Sequence, residues 1–339
     1  MDQRKKKILK ALVNSYIESA EPVGSRTIAK KYDLGLSSAT IRNELADLED
    51  MGYIEQIHTS SGRKPSSLGY RMYVDELITL EDLSKEEREF IRNNFLNEAI
   101  NEVESILKVS ANILSKLTNM TAIIKPPIIP KGKVKLIQIL AIDDGKVLVV
   151  CVTDMGVVKN KILSFDKNLE IKALENINKV LNTYLKDVEL SQIDKNLISF
   201  MKFHMKEESE LLAPILNVII DTLKENEREN ENLFVDGVTN ILNYPEYSNI
   251  ERAKKFLQLI NEKDALESMI SNDDLNIKIG DENEISDAKE LSVITSKYSL
   301  KGISGNIGLI GPTRINYGKV ISVLKIITNE LTEMLKTLE

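Results

Sequence analysis

The chain has 339 residues, 42% hydrophobic and 29% charged, with a formal net charge of −7. That length calls for two or three domains with a sizeable core, and the acidic total excludes a generally basic nucleic-acid coat. No apolar run approaches the roughly 18 residues of a membrane span. The start, Met1-Asp2-Gln3-Arg4-Lys5-Lys6-Lys7, leads into a helical apolar pattern and is not a signal peptide. The single cysteine, Cys151, excludes a disulfide within the chain. It fits a reducing cytoplasm and reads as a small buried hydrophobe. Charge is uneven: residues 1–75 hold 12 Lys+Arg against 10 Asp+Glu, and the remainder 33 against 42. A locally basic head on an acidic body would confine any contact with a polyanion to one surface.

The first predicted helix spans 4–19, with Ile8, Leu9, Leu12, Val13, Tyr16 and Ile17 as its core stripe. The cations Arg4 to Lys7 at its start are either solvated or set for phosphate contact. Pro22-Val23-Gly24 is a turn, and Ser25 can cap a helix over 26–32. Asp33-Leu34-Gly35-Leu36 breaks the chain. Ser37 or Ser38 can cap a second helix over 39–51, which Gly52 ends. In that helix Ile41, Leu45 and Leu48 fall within about 60° of each other and must face the core. The opposite face carries Ala39, Thr40, Asn43 and Ala46, with Arg42 at one shoulder. Asp47, Glu49 and Asp50 in the C-terminal half would repel phosphate, so the N-terminal half suits a groove. Asn and Arg carry the forks that match adenine and guanine edges.

A wing follows. Tyr53 to His58 alternates as a strand, Thr59-Ser60-Ser61-Gly62 turns, and Arg63-Lys64-Pro65 opens the return strand. The region reads as a helix-turn-helix with a β-wing, a device for duplex DNA. Its candidate DNA-binding residues are Ser25, Arg26, Thr27, Ser38, Ala39, Thr40, Arg42, Asn43, His58, Thr59, Ser60, Arg63 and Lys64. The competing reading of the shape is packing alone.

A helix over 68–80 closes the head. Ser84 and Glu87 then form a capping-box pattern, opening a helical stretch to about 119 that can break near Asn97. Lys125-Pro126-Pro127-Ile128-Ile129-Pro130-Lys131-Gly132 reads as an extended connector. A meander of strands over 134–142, 147–153 and 157–165 comes next, with a turn at Asp143-Asp144-Gly145. Residues 169–232 are helical and acidic. Within them 213–220 is too apolar for an exposed helix and needs a partner surface, either a second protomer or another domain. Ile215, Ile219 and Ile220 are the dimerisation candidates. Helices over 250–261 and 264–270, strands over 276–279, 291–300 and 303–310, and an amphipathic helix over 320–338 complete the chain.

Three separated stretches resemble the family of heat-inducible transcription repressors HrcA. The first lies in the head: Gly24-Ser25-Arg26-Thr27-Ile28-Ala29, Ser38 to Glu49 and the run from His58 to Asp75, departing from the family pattern at Ser61 and Ser66-Ser67. The second is Val235-Asp236-Gly237-Val238-Thr239-Asn240-Ile241-Leu242-Asn243-Tyr244-Pro245-Glu246. The third is Gly308-Leu309-Ile310-Gly311-Pro312-Thr313-Arg314-Ile315-Asn316-Tyr317. The resemblance implies an α+β fold, with an N-terminal winged helix-turn-helix and a GAF-like α+β domain interrupted by a mainly helical dimerising insertion. The corresponding domains are 1–80 (winged helix), 81–125 (helical connector), 126–168 with 233–339 (GAF-like) and 169–232 (insertion). It also implies a homodimer that represses chaperone operons at an inverted-repeat operator, with the GroEL chaperonin as modulator. A regulator gated by a metabolite in the GAF-like domain is the alternative.

No enzyme is expected. His58 and His204 are far apart, there is no zinc-ligand spacing, and no phosphate-binding glycine-lysine loop exists. Catalytic residues, metal sites and cofactors are therefore expected to be none. Gly302, Gly305, Gly308 and Gly311 lie on and around a strand and mark close packing. Gly311-Pro312-Thr313-Arg314 is the most site-like run outside the head. It reads as a turn whose arginine tethers two elements.

Overall fold

The computed structural model describes residues 1–56, 62–98, 103–127, 133–143, 145–154, 158–165, 169–189, 193, 195–205, 211–219, 233–271, 273–300 and 303–337. Its head contains α1 (Gln3–Ser19), α2 (Ser25–Lys31), α3 (Ser38–Asp50), β1 (Ile54–Gln56), β2 (Arg63–Pro65) and α4 (Ser67–Met72). A π-helical turn, Tyr73–Leu77, extends α4. After it come α5 (Lys85–Glu98), α6 (Val103–Thr118), β3 (Thr121–Lys125), β4 (Val134–Asp143), β5 (Lys146–Thr153), β6 (Val158–Ser164), α7 (Ile171–Leu185) and α8 (Lys195–His204). A helix over 211–219, here α9, precedes β7 (Phe234–Asp236), α10 (Ile250–Asn261), α11 (Lys263–Met269), β8 (Leu275–Ile279), β9 (Leu291–Leu300), β10 (Ile303–Pro312) and α12 (Tyr317–Thr337). Two compact units result: Met1–Pro127 with Leu233–Glu339, and Ile128–Asn232.

Local chemistry explains the element ends. Asp2 accepts the Lys5 N–H at 2.8 Å and starts α1. The capping box expected before α5 forms, with the Ser84 N–H donating to Glu87 Oε2 at 2.9 Å and the Glu87 N–H to Ser84 Oγ at 3.2 Å.

In the first unit five antiparallel strands lie in the order β7-β3-β10-β9-β8. Their side chains alternate between two cores, as a sheet covered on both faces requires. Ala122, Ile124, Ile294, Tyr298, Ile307 and Leu309 join the core that includes α6 and α12. Ile123, Leu291, Val293 and Ile310 pack with Phe256 and Leu259 of α10 and Leu266 of α11. Strand β7, absent from the sequence reading, pairs with β3 through Ile123 and Val235.

The second unit differs from expectation in two respects. The meander, expected to share one domain with 291–310, instead forms its own three-stranded sheet, β4-β5-β6, in the unit of α7 to α9. Ile137, Ile139, Val147, Val149 and Cys151 share its inner face and pack with Leu174, Ile177, Leu181 and Leu185 of α7. A strand pattern states that a face must be covered, and here the nearest helices in sequence cover it.

The second difference concerns Ile215 and Ile219, candidates for a dimer contact. They are 0% and 1% exposed inside this same core. With Leu212 and Leu216 they form the apolar stripe of α9. Their partner surface is the unit's own interior, so these side chains are unavailable to a second copy. Ile220 lies outside the described residues. Cys151 is buried, as expected, and burial pushes its thiol up to about 11.

The outer face of this sheet has another character. Leu136, Leu140, Ile142, Val158 and Ile162 are between 45% and 58% exposed. The register puts Leu140 opposite Leu148 and Leu148 opposite Ile162, so these residues form one apolar surface.

Candidate nucleic-acid interface

The head builds its site from two short helices and a hairpin. Helix α2 begins at Ser25, one residue earlier than expected. Gly24 occupies the cap position with no side-chain bond, so Ser25 is the first helical residue and not the cap. Gly35, at φ +65°, turns the chain between α2 and α3. Ser37 caps α3 by accepting the Thr40 N–H at 3.1 Å, and its hydroxyl lies 2.9 Å from Thr40 Oγ1. Ile41, Leu45 and Leu48 are the buried face, as the periodicity requires. Burying three such side chains contributes about 1.5–3 kcal/mol each, which fixes the rotation of α3 and turns its other face outward.

That outward face carries Ser38, Ala39, Arg42 and Asn43, all exposed, with Thr40 half-buried. On α2, Arg26 and Thr27 are exposed and Ser25 is half-buried. Among the described residues, Arg26, Arg42 and Asn43 make no ion pair and no side-chain hydrogen bond. Lys30, exposed and equally uncommitted, stands four residues after Arg26. Its i,i+4 spacing from Arg26 on one helix face is the sequence signal that marks it.

The remaining head cations are engaged internally. Lys5 pairs with Glu44 at 2.9 Å and Asp47 at 3.0 Å. These bonds raise its ammonium pKa well above the ordinary lysine value. Arg4 reaches Glu44 at 3.4 Å, and Lys6 pairs with Glu76. Of the run Arg4 to Lys7, only Lys7 has no such partner among the described residues. Glu44 and Asp47 of α3 are thus neutralised from within the head.

The wing base is anchored in the same way. Strands β1 and β2 pair antiparallel, with Glu55 opposite Lys64 and Gln56 opposite Arg63. Arg63 exchanges backbone hydrogen bonds with Val23 at 2.8 and 2.9 Å. Its Nε and Nη2 each lie 2.8 Å from Glu49 Oε2. Lys64 pairs with Glu55 at 3.2 Å. Gly62 permits the close approach, since a Cβ there would lie 2.5 Å from the Pro22 backbone. Arg63 and Lys64, expected to face phosphate, therefore hold the wing base together. His58, Thr59 and Ser60 lie outside the described residues.

The described residues hold no group of three or more His, Cys, Asp or Glu side chains able to bind a metal. No helix among them is long and apolar enough to cross a membrane.

Comparison with known proteins agrees with this geometry. Residues 1–79 match the family model described as the winged helix-turn-helix transcription repressor, HrcA DNA-binding. Residues 104–321 match the HrcA protein C terminal domain. The heat-inducible transcription repressor HrcA of Clostridium tetani is 46% identical over 338 residues, covering 99% of this chain and 96% of that protein. The protein of the same description from Acetivibrio thermocellus is 39% identical over 344 residues, covering 100% and 97%. A crystal structure of a hypothetical protein matches all of both chains with a TM-score of 0.69 at 23% identity, a likeness of fold. The chain belongs to the HrcA family of heat-inducible transcription repressors, which are DNA-binding regulators and not enzymes.

Proposed function

We propose that the chain acts in the cytoplasm as a homodimer, binds an inverted-repeat operator upstream of chaperone operons and is modulated by the GroEL chaperonin. The observation that carries the reading is the outward face of α3. It joins small residues to Arg42 and Asn43, both uncommitted, above a buried face that fixes its direction. Arg42 and Asn43 read base edges from the major groove. Ser25, Arg26, Thr27, Ser38, Ala39 and Thr40 hold the flanking backbone, and His58, Thr59 and Ser60 add contacts to DNA.

An inverted repeat needs a two-fold symmetric reader. The surface best suited to that contact is the uncovered apolar face of β4 to β6, with Leu140 and Ile162 near its middle. The body keeps a GAF-like layout, supported by one antiparallel sheet with helices on both faces and strands drawn from either side of 128–232. The domains are then 1–80, 81–127 together with 233–339, and an insertion of 128–232 that includes the meander.

Modulation by chaperonin finds support in the topology. Strand β3 pairs with β7 and β10, so Thr121 meets Ile310 only after most of the chain is made. Such non-local pairing slows folding and leaves apolar strands exposed meanwhile.

The test is fluorescence anisotropy with promoter duplex from a chaperone operon against a scrambled duplex. Wild type binds the operator tightly as a dimer and discriminates against the scramble. Leu140→Lys with Ile162→Lys sediments as a folded monomer with weakened binding. Refolding from denaturant recovers more operator-binding protein with GroEL than without. Equal binding to both duplexes would end the operator reading, and an intact dimer in the double variant would move the interface elsewhere.

A further inference from the structure

Two arginines tie the winged-helix head to the five-stranded body, and they run in opposite directions. Arg314, in the loop before α12, donates from Nη1 to the Ile17 carbonyl oxygen at 2.8 Å. That oxygen lies in the last turn of α1, where carbonyls lack helical partners. The same guanidinium grips Glu246, through Nε to Oε1 and through Nη2 to Oε2 at 3.1 Å. Its carbon lies 5.9 Å from the Tyr244 ring centroid. Arg71, on α4, reaches the other way. Its Nε donates to Glu282 Oε1 at 2.7 Å, and its Nη2 to Glu282 Oε2 and the Ile277 carbonyl oxygen.

Between the clamps two glycines of the body sit where the head leaves no room for a side chain. A Cβ on Gly318 would lie 2.5 Å from the Thr79 carbonyl oxygen, and one on Gly280 2.3 Å from Ser67 Oγ. Tyr70 of the head and Tyr317 of the body meet at 5.8 Å between ring centroids. Burial alone would raise the Glu246 and Glu282 carboxyls, but the hydrogen bonds and charges of Arg314 and Arg71 outweigh it and hold both below the ordinary glutamate value. Forked arginine–carboxylate pairs of this kind fix direction as well as distance. Two of them at separate points of one joint leave little freedom to swivel.

We infer that Arg314 and Arg71 are positioning residues for operator reading: together they lock the head to the five-stranded body at one angle and so narrow the half-site spacings that a dimer accepts. The inference rests on the proposed dimeric reading of an inverted repeat. Neither guanidinium touches DNA in this scheme. Each acts by fixing where α3 points. An added base pair turns one half-site by about 35° and moves it about 3.4 Å. A locked head cannot follow that displacement, whereas a freed head can.

The experiment uses the full chain and two readouts. The first is operator affinity across duplexes whose spacer is lengthened or shortened by one and two base pairs. The second is the distance between spin labels at Asp33→Cys in the head and Lys325→Cys in the body, in a Cys151→Ala background without DNA. Wild type should give a narrow distance distribution and lose about tenfold or more in affinity when the spacer changes, because DNA must twist to compensate. Arg71→Gln with Arg314→Gln should broaden the distribution and reduce the spacer penalty to about threefold or less. Gly318→Ala, which forces the joint apart without touching either arginine, should do the same. If the glutamine variant fails to fold, Arg71→Lys with Arg314→Lys replaces it, keeping the charge and losing the fork. A narrow distribution and a wild-type spacer penalty in these variants would overturn the inference. A wild type with a narrow distribution but no spacer penalty would also overturn it, whereas a monomeric wild type, or one that binds operator and scrambled duplex equally, would overturn the dimeric operator reading on which it rests.

Discussion

Two groups of cations on the same small head have opposite fates. Lys5, Lys6, Arg63 and Lys64 each meet a carboxylate of the head. Arg26, Lys30 and Arg42, on α2 and the first half of α3, meet none among the described residues. Counting charge along the chain treats the groups alike, and the basic start and the wing base then look as suitable for phosphate as α3 does. The difference teaches that an interface is marked by cations the fold leaves unspent. A paired cation must first break its bond before it can serve a phosphate, and its carboxylate partner repels the same phosphate.

The largest effect on DNA binding is expected at α3. Arg42→Ala and Asn43→Ala should each reduce preference for operator over scrambled duplex by about 1–3 kcal/mol. Their thermal unfolding should stay within about 0.5 kcal/mol of wild type, because both side chains are exposed. Competition binding with the two duplexes checks this, and wild-type discrimination in both variants would erase the contrast.

A smaller and less selective effect is expected on α2. Arg26→Ala with Lys30→Ala should weaken binding to both duplexes equally and flatten the log–log salt dependence by roughly 0.9 per lost phosphate contact. A salt titration measures the slope, and an unchanged slope would place these cations outside the interface.

The wing base should change DNA binding least. Arg63→Ala should leave the salt slope near wild type while lowering head stability by about 1 kcal/mol, since a charge-assisted pair at a partly exposed site is worth little more. Lys64→Ala, at a more exposed pair, should be nearly silent in both measurements. A flattened slope with unchanged stability in Arg63→Ala would transfer Arg63 to the DNA-facing group.

A parallel contrast separates the two apolar sets of the second unit. Ile215→Glu with Ile219→Glu should unfold that unit rather than give a soluble monomer, because it buries two unpaired charges in a packed core. Circular dichroism and limited proteolysis distinguish the outcomes. A folded monomer would restore α9 as the dimer contact.

Local patterns determined much of this protein from sequence alone. The face of α3 followed from the spacing of Ile41, Leu45 and Leu48, the start of α5 from Ser84 and Glu87, and the strands of the meander from their alternation. These features depend on neighbours within a few residues, whose geometry is that of the helix or strand itself. Motif resemblance carried the family, and Arg314 was legible as a tether. Only tertiary structure decided the partners. Arg63 met Glu49, Arg314 met Glu246 and Ile17, and Ile215 met the core of its own unit. Each of those contacts joins different elements, and apolarity or charge states only that a side chain needs a partner. The folded chain selects which one, because the rotation and register of whole elements, set by burial, bring particular side chains within reach.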